Sequence, residues 1–136
     1  MISKLLVILC CIGLGACRGA SESETEVLLE CRSPNGKAVA IFYREFGGGA
    51  AGWQYEIVTV HQPDDHIPSK VLKLKSGYEV TLRWIDSKRL EIGYPDSARV
   101  DHWQNWFGRM GDGKVELLRL ASKHGMFVDE KSGCKK

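Results

Sequence analysis

The chain of 136 residues has little of several things, and each shortage narrows what it can be. Its most apolar stretch, Leu5–Leu14, is ten residues long, whereas a helix that crosses a bilayer needs about 20. Neither Cys31 nor Cys134 has the C-x-x-C spacing of a redox or zinc site. There is no G-x-S-x-G motif, which excludes the nucleophile elbow of an α/β-hydrolase. The glycine-rich break Gly47–Gly52 lacks the Lys-Ser/Thr of a phosphate-binding loop, and no helix pattern follows it. The formal charge of +2 is too balanced to imply a nucleic acid or an anionic membrane surface as partner. No long amphipathic helix and no convincing repeat can be read.

What is present begins at the N-terminus. Lys4 precedes the uncharged run LLVILCCIGL, and the small residues Gly15 and Ala16 follow. This is the order of a secretory signal: a charged start, a short apolar core and a small-residue site. Two glycines in the run, and the lack of a polar face, argue against a buried helix of the domain. Leu14-Gly15-Ala16-Cys17 resembles the lipobox of bacterial lipoproteins. The resemblance implies cleavage before Cys17, a diacylglycerol on its sulfur and an acyl chain on its amine. The alternative is an ordinary secretory signal that contains a cysteine. The next residue is Arg18 and not Asp, which the resemblance reads as sorting to the outer membrane of a host that has one, facing the periplasm. Two or three acyl chains give a stable tether, since one alone binds only marginally.

The expected organisation is therefore a signal over 1–16, a lipidated Cys17 with a flexible linker to residue 26, and a β domain over 27–136. Arg18 to Glu26 reads RGASESETE, small and charged with no apolar pattern. About 120 residues remain after cleavage, enough for one core. Of the five cysteines, Cys10 and Cys11 leave with the signal and Cys17 carries lipid. Cys31 and Cys134 remain in an oxidising compartment, where they can form one intramolecular bridge; two free thiols or a bond to another chain are the alternatives.

The body reads as about seven short, mainly antiparallel strands in one small sandwich or barrel. Val27–Arg32 and Lys37–Phe46 flank Ser33-Pro34-Asn35-Gly36, a turn signal, and make a hairpin. Trp53–His61, Val71–Lys75, Tyr78–Trp84, Arg89–Tyr94 and Lys114–Ala121 complete the set. In Tyr78–Trp84 the alternation places Tyr78, Val80, Leu82 and Trp84 inward and Glu79, Thr81 and Arg83 outward. Leu90, Ile92 and Tyr94 repeat it. Val100–Met110 fits no strand pattern: Val100, Trp103 and Phe107 would share a helical face, giving a short helix near residues 101–108, or the segment is an irregular loop.

Ser33-Pro34-Asn35-Gly36-Lys37 with AVAIFYRE, the break GGGAAGW and the unit LRWIDSKRLEIGYP resemble, in that order, a family of small bacterial envelope proteins of unknown function. Many of its members are lipoproteins. The match covers roughly residues 31–100, with Asn35 in place of the usual Asp. The family implies no catalytic residue. A narrower resemblance, to periplasmic lysozyme-inhibitor lipoproteins, rests on Cys31 before a glycine-containing turn and on Ser76-Gly77-Tyr78, which lacks one residue of the inhibitory loop.

Candidate chemistry is sparse. His61-Gln62-Pro63-Asp64-Asp65-His66 puts two imidazoles and two carboxylates in one loop, but Pro63 and the loop setting fix no ligand geometry. Asp101, His102 and Ser97 are close in sequence without forming a hydrolase motif, and His124 carries no pattern. Trp53, Trp103, Trp106 and Phe107 form the candidate binding surface; the same aromatics could instead close the end of the core. The expectation is a non-enzymatic, lipid-anchored envelope protein without metal or cofactor, held to the membrane at Cys17. Its partner would be an envelope protein or peptidoglycan, not nucleic acid. A lysozyme inhibitor and, further off, a cell-wall hydrolase are the alternatives.

Overall fold

The structure, a computed structural model, describes residues 22–75, 77–123, 126–127 and 134. The signal, Cys17, Ser76 and His124 lie outside them. Strands β1 (Glu24–Arg32), β2 (Val39–Gly47), β3 (Trp53–His61), β4 (Ser69–Lys75) and β7 (Val100–Trp103) form one antiparallel sheet in the order β1-β2-β3-β4-β7. Strands β5 (Thr81–Asp86), β6 (Arg89–Pro95), β8 (Trp106–Phe107) and β9 (Gly113–Leu120) form a second in the order β5-β6-β9-β8. A small hairpin of β10 (Ser122–Lys123) and β11 (Met126–Phe127) follows. The architecture is an all-β sandwich, and each of the seven strands read from sequence has a counterpart, the one read over Tyr78–Trp84 running instead over Thr81–Asp86.

Alternation decides which side chains meet. In the first sheet Leu29, Phe42, Val58 and Leu72 line up across four strands, with Cys31, Ala40 and Val60 in the neighbouring row. In the second, Leu82 and Ile92 form one pair, and Trp84, Leu90 and Val115 form one row. These rows face each other and make one core. Leu72, Leu74, Leu82, Leu90 and Ile92 are fully buried, each contributing about 1.5–3 kcal/mol relative to exposure. The clean period in Tyr78–Trp84 holds: Val80 and Leu82 are buried, Tyr78 and Trp84 pack against the core, and Glu79 and Arg83 are exposed.

The turns follow their chemistry. Gly36 N donates to Ser33 O at 2.8 Å, closing the turn between β1 and β2. The Asn35 side-chain oxygen accepts from the Ser33 hydroxyl at 2.8 Å and from Lys37 N at 3.1 Å. A carboxylate oxygen would accept the same bonds, so Asp could take the place of Asn35 in this turn. Lys88 N donates to Asp86 Oδ1 at 2.8 Å in the next hairpin turn. Asn35 N donates to Ser87 Oγ at 3.1 Å, joining the two turns at one end of the sandwich.

Two sequence readings are corrected. The short helix near residues 101–108 is absent, and β7 and β8 occupy the segment instead. Between them the chain leaves one sheet for the other. Gln104 N donates to Val71 O in the first sheet at 2.9 Å, and Val115 N of the second donates to Asn105 O at 3.0 Å. A corner of this kind satisfies the backbone without a helix. Phe107 alone of the proposed helical face is buried. β1 also starts earlier than Val27, at Glu24, because Glu24, Thr25 and Glu26 pair with Phe46, Glu45 and Arg44 of β2. The linker read through residue 26 therefore gives way to strand at Glu24.

β6 and β9 are parallel, joined by the excursion through β7 and β8. The opposite flank, between edge strands β1 and β5, has no ladder. It is held by side chains: Trp84 Nε1 donates to Cys31 O at 3.0 Å, and Cys31 is bridged to Cys134. Cys134 Sγ lies 3.1 Å from Leu82 O. The bridge, 103 residues apart in sequence, closes the seam between the two edges. Among the described residues no helix is long and apolar enough to cross a membrane.

Candidate functional site

Loop residues 62–68 after β3 and the 108–112 turn between β8 and β9 lie side by side at one end of the sandwich. One carboxylate clasps them. Asp65 Oδ2 accepts Gln62 N at 2.9 Å within its own loop, and Asp65 Oδ1 accepts Arg109 N at 3.0 Å from the other. Gly108 N donates to Ser69 Oγ at 3.2 Å, a second tie. Lys88 reaches Asp112 at 3.0 Å from the β5–β6 turn. That contact, with its hydrogen bond to Lys88 foremost, lowers the Asp112 carboxyl below its usual value.

Between the two loops is an open groove of about 610 Å³, lined by Gln62, Pro63, Asp64, Asp65, His66, Arg109, Met110 and Asp112. Its rim carries side chains that a folded surface ordinarily hides. Met110 is 85% exposed and Ile67 81%. Trp106, 45% exposed, rests against Gly111 of the turn. The Arg109 side chain has no ion-pair partner among the described residues. Trp, Arg and Met are the residues enriched where proteins bind one another.

The Asp65 and Asp112 carboxylates of the groove are already engaged. Asp65 spends both oxygens on backbone N–H groups, and Asp112 is paired with Lys88. Among the described residues no group of three metal-ligating side chains comes together. Within the His61–His66 loop, Asp65 acts as a backbone clasp. Asp101 pairs with Lys73 at 3.2 Å, the His102 ring contacts Lys70 O at 3.2 Å, and Ser97 O accepts the Tyr78 hydroxyl at 3.1 Å. Each is engaged separately.

The aromatic surface expected from sequence is divided. Phe107 leaves it: the ring is fully buried and meets Trp84 edge-on, with centroids 5.7 Å apart. Its alternation with exposed Trp106 explains this, since neighbours on a strand face opposite ways. Trp106 borders the groove, and Trp103, 41% exposed, lies on β7 just before the corner. Trp53 begins β3, at the end of the sheet away from the groove. Its indole lies over Gly47 and Gly48, where any Cβ would come within 2.9 and 2.8 Å of the ring. Gly48 also has φ +85°, a conformation that suits glycine. The glycine break is thus a seat for Trp53.

The sequence reading passed over Glu56. Alternation puts it on the core face of β3 with Val58 and Val60. Its side chain is fully buried; Oε1 accepts Gln54 Nε2 at 2.7 Å and Arg44 Nε at 3.2 Å, while Oε2 has no partner. Arg44 also reaches Glu26 at 3.3 Å. A carboxylate at an inward position of WQYEIVTVH was the available signal.

No protein-family model, curated protein or solved structure matches this chain.

Proposed function

We propose that this chain is a lipid-anchored cell-envelope protein with a non-enzymatic binding role, tethered at Cys17 and holding another envelope protein at the groove between residues 62–68 and 108–112. The observation that carries the reading is the groove rim. Met110 is exposed beside Arg109, which has no ion-pair partner among the described residues, on loops that Asp65 fixes, and Ile67 and Trp106 are exposed on the adjoining loop and strand. Fixed loops lose little freedom on binding, so exposed apolar area there converts efficiently into affinity. The order Lys4, LLVILCCIGL and Leu14-Gly15-Ala16-Cys17 supports the anchor and, with Arg18 following, an outer-membrane position facing the periplasm.

The test is site-specific photocrosslinking in the native envelope. A photoreactive residue at position 110 is expected to capture a discrete protein partner, and one at position 79, exposed just before β5, is not. Arg109→Glu should abolish the adduct formed from position 110. Equal labelling from both positions, or no adduct from position 110, overturns the groove as the binding site.

A further inference from the structure

The described chain begins at Glu22, and its position fixes which end of the sandwich the tether leaves from. The Glu22 carbonyl oxygen and the Trp53 indole crowd the same point: a Cβ on Gly47 would lie 3.5 Å from the first and 2.9 Å from the second. The N-terminal segment therefore joins the domain beside Trp53. The groove lies at the other end of β3, whose nine residues span about 30 Å.

Cys17 is five residues before Glu22. Even fully extended, five residues reach at most about 18 Å. An anchor at Cys17 thus keeps the Trp53 end close to the bilayer. That end is suited to lie there. Residues Gly48–Gly52 carry no charge. Trp53 is backed by Gly47 and Gly48 and remains 36% exposed. Tyr55, on the same face of β3, has its ring centroid 5.8 Å away. Lys73 Nζ sits 3.8 Å above the Tyr55 ring, and Lys75 is exposed beside it. Trp and Tyr favour the membrane–water boundary, where one part of the ring is wet and the rest is not. Glu22, Glu24 and Glu45 flank the patch, so attraction to anionic lipid is not what would hold it.

We propose that Trp53, Tyr55 and the Gly48–Gly52 loop form a surface that rests on the lipid headgroups of the bilayer holding this protein's own anchor. The groove then points away from that bilayer. This inference rests on the proposed lipidation of Cys17 and adds an orientation to it.

The experiment uses the full native protein reconstituted in phosphatidylethanolamine–phosphatidylcholine vesicles whose acyl chains are brominated near the headgroup. Bromine quenches tryptophan only at short range. Quenching is expected for the unaltered protein and for Trp106→Phe. It should fall at least twofold in Trp53→Phe, and should change little between low and high salt. Emission from unbrominated vesicles reports whether Trp53→Phe remains folded, through the buried edge of Trp84. If that emission shows an unfolded variant, Trp53→Tyr is read in its place by the same criterion. An acylated protein with no quenching, or with equal quenching in the Trp53 variant, overturns the membrane contact and leaves the anchor standing. Intact mass of the same sample separates the other failure: an unacylated Cys17 overturns the anchor reading and this inference with it.

Discussion

Glu56 and Arg44 are the residues whose replacement should be most uneven in effect. Glu56 is buried, whereas the Arg44 side chain is about one-third exposed. Removing Arg44 leaves a carboxylate in the core with a weakened set of donors, so Arg44→Ala should cost about 3 kcal/mol. Removing Glu56 leaves a guanidinium that can turn to water and still reach Glu26; Glu56→Ala should cost about 1–2 kcal/mol. Urea unfolding of the two variants measures the difference, and equal losses would contradict it. Tyr43 gives a pH dependence of definite sign. Burial, helped by Glu45, raises its phenol above the usual value. Its neutral form is favoured in the fold, so its contribution is complete below the unfolded pKa of about 10 and is lost as pH rises through the higher folded pKa. Stability measured across the alkaline limb should fall less steeply in Tyr43→Phe than in the native protein.

Among the elements, the shortest strands carry a sharp constraint. Phe107 of β8 lies across from Gly113 of β9, and its ring occupies the space that a Cβ at Gly113 would need. Gly113→Ala should push the ring off Trp84 and cost about 1–3 kcal/mol. Near-ultraviolet circular dichroism would lose aromatic signal with it; an unchanged spectrum and unchanged stability would sink the claim. The same elements show what the sequence could not disclose. Tyr78–Trp84 was readable because one face is wet and the other dry, and so was Arg89–Tyr94. Val100–Trp103 is exposed throughout, so it has no period to read. β8 has two residues, and its role depends on the hydrogen bonds of Gln104 and Asn105 to two different sheets. Such partners are distant in sequence and leave no local mark. The groove was half legible: the 61–66 loop stood out by composition, but its pairing with Arg109 and Asp112 is purely tertiary. Trp53 is legible in the sequence as an aromatic of either surface or core, while its glycine seat required the fold.

At the scale of the whole molecule, the sandwich is closed differently on its two flanks. Backbone joins the sheets through the corner at Gln104–Asn105, and at the β1–β5 seam Cys31 of β1 is bridged to Cys134, whose sulfur lies against Leu82 O of β5. A loop of this length stabilises by up to about 4.7 kcal/mol on the chain-entropy model. The double variant Cys31→Ala, Cys134→Ala should lose a large part of that in denaturant unfolding, and a loss under about 1 kcal/mol would show that the seam holds without it. The parallel neighbours β6 and β9 have a consequence for how the protein reaches this state. β9 cannot take its place until the chain has left the second sheet, laid β7 against β4 and returned. The crossover that supplies β7 to the first sheet also delivers β8 and β9 to the second, so the completion of the two sheets is linked. Folding should therefore be slow and concerted, in the millisecond-to-second range of proteins dominated by distant contacts. Refolding followed by Trp84 fluorescence and by amide protection in β2 and β3 should give one common rate. Two separable rates would mean that the sheets assemble as independent units.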